Sequence, residues 1–280
     1  MAVTLTCPVC HAPLALSEDQ KSYRCPKKHC YDRAKSGYVN LIPIGKKRSK
    51  IPGDNKDMIR ARVDFLSAGY YQPLSDAINA NAIKLLKNVK HPVVLDAGCG
   101  EGYYTHRLYD ALTENGKKVK LFGTDISKFG LEAAGKHHAA NGITYAAASS
   151  FEIPLPDHCV DLLVCIFSPY AEKEFLRVLK PGGKMLLAIP GAHHLWELKS
   201  TVYETPYKNE VKDYPLAGFE FLSTDKVDSH ILLPDQKSIQ NLFSMTPYSC
   251  NTPPQAAAKL LALEQLTTRI QFEVLSYRAL

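Results

Sequence analysis

Four cysteines and two histidines crowd the first thirty residues. Cys7, Cys10, Cys25 and Cys30 fall in two close pairs, with His11 and His29 beside them, in the stretch CPVCHAPLALSEDQKSYRCPKKHC. A Cys-x2-Cys knuckle followed by a second pair has the rhythm of a tetrahedral zinc site, because each tight turn aims two ligands at one ion. Pro8 and Pro26 help to fix those turns. Cys7, Cys10 and Cys25 supply three ligands, and the fourth is either His29 (Cys-x3-His) or Cys30 (Cys-x4-Cys). Spacing does not choose, and the commonness of thiolate in zinc ribbons favours Cys30. Without a metal the same residues are free thiols. A closed four-ligand site leaves no open position for catalysis, so this zinc is structural, and it stabilises a module with almost no apolar core.

A second chemistry-bearing pattern is HPVVLDAGCGEGYYTHRL. Val93–Leu95 read as a short buried strand, Gly98, Gly100 and Gly102 as a glycine-rich turn, and a helix starts near Tyr103. Glycines let the backbone approach a ligand closely. The spacing is Gly-x-Gly-x-Gly, not the Gly-x-Gly-x-x-Gly of a dinucleotide cradle. Asp96 would repel a phosphate and suits a ligand with cationic groups. Further on, KLFGTDIS ends a second strand at Asp125, where a carboxylate accepts hydrogen bonds from ribose hydroxyls.

Around these motifs the chain alternates strands and helices. DMIRARVDFLSAGYYQPLSDAINANAIKLLKN predicts two helices broken near Gly69 and Pro73. ITYAAAS predicts a third strand ending at Ser149 and Ser150, and CVDLLVCIFSPY a fourth ending at Ser168, Pro169 and Tyr170. VLKPGGKMLLAIPG predicts a Gly-Gly turn into a fifth strand, and TTRIQFEVLSY alternates like a last, antiparallel one. Such an alternation gives an α/β fold with a doubly wound, mostly parallel sheet, binding ligands beyond the carboxyl ends of its strands. The order LDAGCGEG, GTDIS, LKPGGKM resembles the class I S-adenosylmethionine-dependent methyltransferase fold, a Rossmann-like sheet of seven strands, here behind a small zinc-ribbon-like domain. The expected organisation is a zinc module over 1–40, a basic linker over 41–56 and a methyltransferase domain over 57–280.

Charge is unevenly placed. Residues 1–60 carry twelve Lys/Arg against five Asp/Glu, a net of +7, whereas the whole chain of 280 residues carries +6. A basic end on a neutral body points to a polyanionic partner. Lys21, Arg24, Lys27 and Lys28, with Tyr23 and Tyr31 among them, can contact phosphates and stack on bases. The run IGKKRSKIPGDNKD reads as a flexible basic linker. No segment approaches the roughly 18–20 apolar residues of a membrane span, and no secretory signal opens the chain, so a soluble cytoplasmic protein is expected. Cys99, Cys159, Cys165 and Cys250 are scattered, not a disulfide framework.

Several stretches narrow the match: CPVC, GYVNLIP, PGD, AGYYQPL, LDAGCGEGYYTH and PGAHHLWELK. Together they resemble the ribosomal RNA large-subunit (guanine-N1)-methyltransferases, a family that includes enzymes linked to tylosin-type macrolide resistance. The resemblance implies methyl transfer from S-adenosylmethionine to N1 of a guanine in a hairpin loop of 23S ribosomal RNA. It implies one zinc ion held by Cys7, Cys10, Cys25 and His29, against the lean toward Cys30. It places Tyr71, Gly98, Gly100, Glu101, Gly102 and His194 at the cofactor, beside Asp96, Asp125, Ile126 and Ser149 at the strand ends. It further implies a homodimer that clasps the RNA. The family motif after the fourth strand ends in Ala-Pro, and here it reads Ser168-Pro169. Guanine N1 carries a proton that some group must accept, and no carboxylate or histidine stands out as that base. N1 also lies on the pairing edge, so the base must be looped or flipped out. A small-molecule methyltransferase, or an RNA binder with an inert cofactor domain, are the rival readings.

Overall fold

The computed structural model describes residues 3–43, 53–210 and 215–280. The basic run Lys46–Lys50 lies outside them. The N-terminal module is a three-stranded antiparallel sheet of β1 (Ala15–Leu16), β2 (Ser22–Arg24) and β3 (Cys30–Asp32). A fourth short strand, β4 (Val39–Asn40), leaves the module and pairs in parallel with β7 (Ile143–Ala147) of the main sheet.

Two helices precede the main sheet. α1 (Lys56–Ser67) starts where Asn55 Oδ1 accepts the Met58 N–H, at 3.0 Å. It stops before Gly69, whose φ of +84° turns the chain. α2 (Gln72–Leu85) carries Pro73 in its first turn, where no N–H is needed. The break expected near Gly69 and Pro73 is therefore present.

Next come β5 (Val93–Ala97), α3 (Tyr103–Glu114), β6 (Lys120–Asp125), α4 (Lys128–His137), β7, β8 (Val160–Ile166), α5 (Glu172–Val178) and β9 (Leu179–Pro190). After them the chain adds α6 (Trp196–Val202), β10 (Phe219–Leu233), α7 (Gln236–Ser244), α8 (Tyr248–Asn251), α9 (Pro254–Leu261) and β11 (Leu266–Ala279). The sheet order is β10-β11-β9-β8-β5-β6-β7-β4. Strands β4 to β9 pair in parallel, and β11 runs antiparallel between β9 and β10. Removing β4 leaves the seven strands expected of a class I methyltransferase, so the eighth is an addition made by the N-terminal module.

The central strands are covered on both faces, and β5, β6 and β8 are accordingly mostly buried, whereas the edge strand β10 is largely exposed. Val94 of β5 joins one core with Leu74, Leu108 and Phe272. Val93, Leu95 and Ala97 point the other way, into a second core with Phe175 and Tyr277. That second core also takes in Leu5, Cys7, Leu14 and Cys25, so the zinc module shares an interior with the body. Thr6 N–H donates to Pro154 O at 2.9 Å. A Cβ on Gly135 of α4 would fall on the Ser36 carbonyl, so α4 must be bare there for the module to dock. Both ends of the segment read as a linker are packed as well. Leu41 is buried and its N–H donates to Ala147 O, and Gly53 sits against Ser127.

The Gly-Gly signal has a different outcome from a simple turn. β8 and β9 pair Val160 with Leu179 and then Leu162 with Lys184, so Lys180–Gly183 bulge out opposite Asp161 within one long strand. Asp161 anchors the excursion through Lys180 Nζ at 2.7 Å and ties β5 through the Val93 N–H at 2.9 Å.

Candidate active site and metal centre

The metal cluster assembles at the knuckle tips. One ligand atom each from Cys7, Cys10, Cys25 and His29 lies within 4.8 Å of the other three. Cys7 Sγ and Cys25 Sγ each stand 3.4 Å from His29 Nδ1, and Cys10 Sγ is 3.7 Å from Cys25 Sγ. A zinc tetrahedron with Zn–S of about 2.3 Å and Zn–N of about 2.0–2.1 Å has edges of roughly 3.5–3.8 Å. The donor set and spacing thus fit one structural zinc, with His29 Nδ1 standing where a fourth donor would be. Cys30 is exposed on β3. Tyr31 places its hydroxyl 3.1 Å from Cys7 Sγ, an outer hydrogen bond of the kind that orients a metal ligand.

The second site forms where β5, β6 and β8 end. Gly98, Gly100 and Gly102 all have positive φ, at +89°, +55° and +89°. A Cβ on Gly98 would collide with the Ser168 side chain, and one on Gly102 would press Ala134 and the Tyr145 hydroxyl. A Cβ on Gly100 would meet, among the described residues, just Arg62 Nη1 at 3.6 Å. The turn therefore packs tightly at both ends and stays open in the middle.

Carboxylates dominate its floor. Asp96 is buried and Thr105 Oγ1 donates to its Oδ2 at 2.6 Å, but Oδ1 has no hydrogen-bond partner among the described residues. Burial pushes its pKa up to about 7, against the Thr105 bond and with help from Asp125 and Glu101. Asp125 is raised by burial, although Oδ2 accepts the Gly100 N–H at 2.9 Å and Oδ1 the Ser127 N–H at 2.7 Å. Each oxygen retains one lone pair for a further donor. Glu101 is raised by burial and held back by Arg62. An unfilled buried carboxylate oxygen in an acidic, glycine-lined cradle fits a ligand that brings its own cation, as S-adenosylmethionine does with its ammonium and sulfonium groups. Ile126, 40% exposed, offers an apolar surface beside Asp125, and Ser149 lies in the turn after β7 with its Oγ accepting the Phe151 N–H.

Tyr71 and His194 form a separate, buried pair. Their hydroxyl and Nε2 are 3.2 Å apart, and His194 Nδ1 accepts the Gln271 N–H at 3.3 Å. The proton of this imidazole is thereby placed on Nε2, which donates to Tyr71. Burial, and then Lys199, lower the His194 pKa to about 3. Both rings pack against Phe272, Tyr71 edge-on at 4.9 Å and His194 tilted at 4.5 Å between centroids, and the exposed Phe167 meets Phe272 at 5.5 Å.

Some participants gave no signal in the sequence. Arg62 of α1 lies between Asp54 at 2.5 Å and Glu101 at 3.9 Å, and donates to Met245 O. Ser168 fills the space that Gly98 leaves. Tyr104, two residues after Gly102, has a buried hydroxyl with no hydrogen-bond partner among the described residues. No periodicity or spacing links Arg62 to Glu101, since only the fold brings α1 over the turn.

Comparison with known proteins agrees with this geometry. Residues 5–50 match the zinc-ribbon family described as RlmA, N-terminal, and residues 88–244 match a methyltransferase domain family. A candidate 23S rRNA (guanine-N(1)-)-methyltransferase of Micromonospora griseorubida is 33% identical, over 94% of this chain and 93% of its own length. The chain belongs to the 23S rRNA (guanine-N1)-methyltransferase family. Its further relatives include the 23S rRNA (guanine(748)-N(1))-methyltransferase of Streptomyces fradiae, 27% identical over 96% of this chain and 95% of that one. YxjB of Bacillus subtilis is 25% identical over the same shares of the two chains.

Proposed function

We infer that this protein transfers a methyl group from S-adenosylmethionine to N1 of a guanine in 23S ribosomal RNA. The observation that carries the reading is the pairing, in one chain, of a zinc ribbon with a class I methyltransferase sheet. Relatives named for this activity align along nearly its whole length.

The sulfonium cofactor supplies an already activated methyl group. The chain's own residues bind and orient. Asp96 Oδ1 is the seat for the cofactor's ammonium group, Asp125 accepts the ribose hydroxyls, and Ile126 and Ser149 border the nucleoside. Gly98, Gly100 and Gly102 let the main chain come close, and Glu101 with Arg62 sets the charge of the rim. Tyr71 and His194, packed against Phe272, hold the wall toward the reacting end. Positioning of this kind is the main contribution an enzyme can make when the cofactor carries the reactive bond.

The N-terminal module supplies the RNA contact in this reading. Lys21, Arg24, Lys27 and Lys28 are all exposed, and exposed cations bind phosphates. The shared core fixes their place relative to the catalytic turn, so an RNA hairpin gripped there can present one base to the site. By family resemblance the working unit is a homodimer, acting in the cytoplasm where ribosomal RNA is modified. No helix among the described residues is long and apolar enough to cross a membrane.

The test is incubation of the zinc-loaded protein with labelled S-adenosylmethionine and 23S rRNA from a strain lacking the gene, followed by mapping of the modified base. Label on a guanine N1 is expected. Label confined to small molecules, or none on RNA, overturns the reading. Sedimentation with and without the RNA tests the dimer.

A further inference from the structure

An open cleft of about 570 Å³ lies at the carboxyl end of β9, lined by Ile189, Pro190, Tyr207, Lys208, Asn209 and Glu210. Its size falls in the range of small-ligand sites, roughly 300–1,000 Å³. β9 neighbours β8, and the two are tied where β8 ends, by the Phe167 N–H to Ala188 O bond at 3.2 Å. The next residue, Ser168, packs on Gly98. The cleft is thus one strand away from the glycine-rich turn, on the ligand-binding end of the sheet.

Its outer wall is built with unusual care for a segment that is neither helix nor strand. Lys199 of α6 is fully buried, yet it has no carboxylate partner among the described residues. Its Nζ donates to Tyr207 O at 3.2 Å and Asn209 Oδ1 at 2.6 Å, and lies 4.7 Å from the Tyr207 ring centroid. Asn209 is fastened on two further sides, by its N–H to Ala192 O at 3.0 Å and its Nδ2 to Gly191 O at 2.8 Å. A buried cation is expensive unless it is fully hydrogen-bonded, so this lysine reads as a post that holds residues 207–210 in place.

Two side chains on that wall are exposed. Tyr207 is 53% exposed, with Lys199 Nζ near its ring and the Tyr203 ring beside it at 5.5 Å between centroids. The Glu210 carboxylate makes no hydrogen bond or ion pair with any described residue. An aromatic face next to a free carboxylate is the complement of a flipped guanine. The ring stacks on the base, and the carboxylate accepts from the N1–H and N2–H donors of its pairing edge.

We propose that this cleft receives the target guanine, with Tyr207 as its stacking platform and Glu210 as the acceptor of the N1 proton. The assignment rests on the methyltransferase reading above. In the step, a Glu210 oxygen takes the proton as the N1–H bond breaks. The electron pair left on N1 then forms the bond to the methyl carbon, while the carbon–sulfur pair departs with the sulfur as a neutral thioether. The proton on Glu210 passes to water after the product leaves. Lys199, behind Tyr207, places positive charge near the negative charge that builds on the guanine.

The experiment measures single-turnover methylation of unmodified 23S rRNA by the zinc-loaded full chain across pH, beside cofactor affinity. E210Q is expected to be slower by about 10²- to 10⁴-fold at neutral pH, with cofactor affinity unchanged. Its rate should climb toward wild type at alkaline pH, where guanine loses its own N1 proton. Y207A should raise the KM for RNA, and Y207W should keep it near wild type. An E210Q enzyme that matches wild type at neutral pH, or whose deficit is the same at every pH, overturns the assignment. Wild-type protein that methylates no 23S rRNA at all overturns the function beneath it, an outcome visible before any variant is made.

Discussion

The Ser168 side chain occupies the place where a Cβ on Gly98 would stand. The contact locks the end of β8 onto the glycine-rich turn, and it makes Gly98 irreplaceable for two reasons. Its φ of +89° strains any L-residue, by about 1–2 kcal/mol, and any side chain strikes Ser168. Gly98→Ala should therefore lower the melting temperature and weaken cofactor binding by at least tenfold, measured by calorimetry. Adding Ser168→Gly should restore part of the loss, because it removes the collision and leaves the backbone strain. A double variant no better than Gly98→Ala would show that Ser168 is not what confines the turn.

The zinc centre makes a sharper contrast between two cysteines. Cys7 belongs to the cluster that fits a zinc ion and lies in a core shared with the body, whereas Cys30 is exposed. Cys7→Ser should release the metal, lower thermal stability by several kcal/mol and abolish RNA methylation, while cofactor affinity is largely kept. Cys30→Ser should do none of these. Zinc content by atomic absorption and methylation rates on the same preparations check both. Equal zinc loss from the two variants would remove His29 as the fourth ligand.

His194 gives the fold a pH signature. Its folded pKa of about 3 lies below the ordinary 6.5, so the native state holds the ring neutral while the unfolded chain takes up a proton. Stability is intact above 6.5 and falls as pH drops toward 3, with a slope of up to about 1.4 kcal/mol per pH unit. His138, lowered to about 4 by burial and by His106 and His137, acts in the same direction. Replacing His194 and Tyr71 together by Phe removes one of these slopes without orphaning the tyrosine hydroxyl. Urea unfolding across this window should show a shallower loss in the double variant. An unchanged slope would mean that His194 titrates in the native protein.

Local chemistry was legible in the sequence, and long-range contact was not. Cys7, Cys10 and Cys25 announce a metal because the spacing within a knuckle is itself the geometry. Gly98, Gly100 and Gly102 announce a close approach because all three need a backbone that other residues resist. The choice between His29 and Cys30 was invisible to spacing. The two are adjacent, and Cys30 opens a strand, where successive side chains face opposite ways. The edge strand β10 gave no clear pattern, since most of its residues are at least partly exposed and its partner β11 begins more than thirty residues later. Six strands followed from alternation and the count of seven from the resemblance, yet an eighth strand, β4, is two residues long and pairs with β7 where the zinc module docks. Arg62 reads as one more cation on an amphipathic helix until the fold sets it beside Glu101.

Asp96 ties stability, pH and cofactor together. Its folded pKa of about 7 lies above the ordinary 3.8, so the native state favours the protonated acid. Its contribution is present below 3.8 and is lost as pH rises through 7, where the buried carboxylate must ionise without a partner for Oδ1. Asp96→Asn escapes that loss, and the free protein should be more stable than wild type above pH 7, by on the order of 1–4 kcal/mol, with the gap closing toward pH 4. The cofactor's ammonium group favours the ionised form, so its binding to wild type near pH 6 should release a proton. Calorimetry in two buffers of different ionisation enthalpy reads that release directly. Asp96→Asn should bind more weakly and release none. A wild-type titration with no buffer dependence at that pH would place the ammonium group elsewhere than at Asp96.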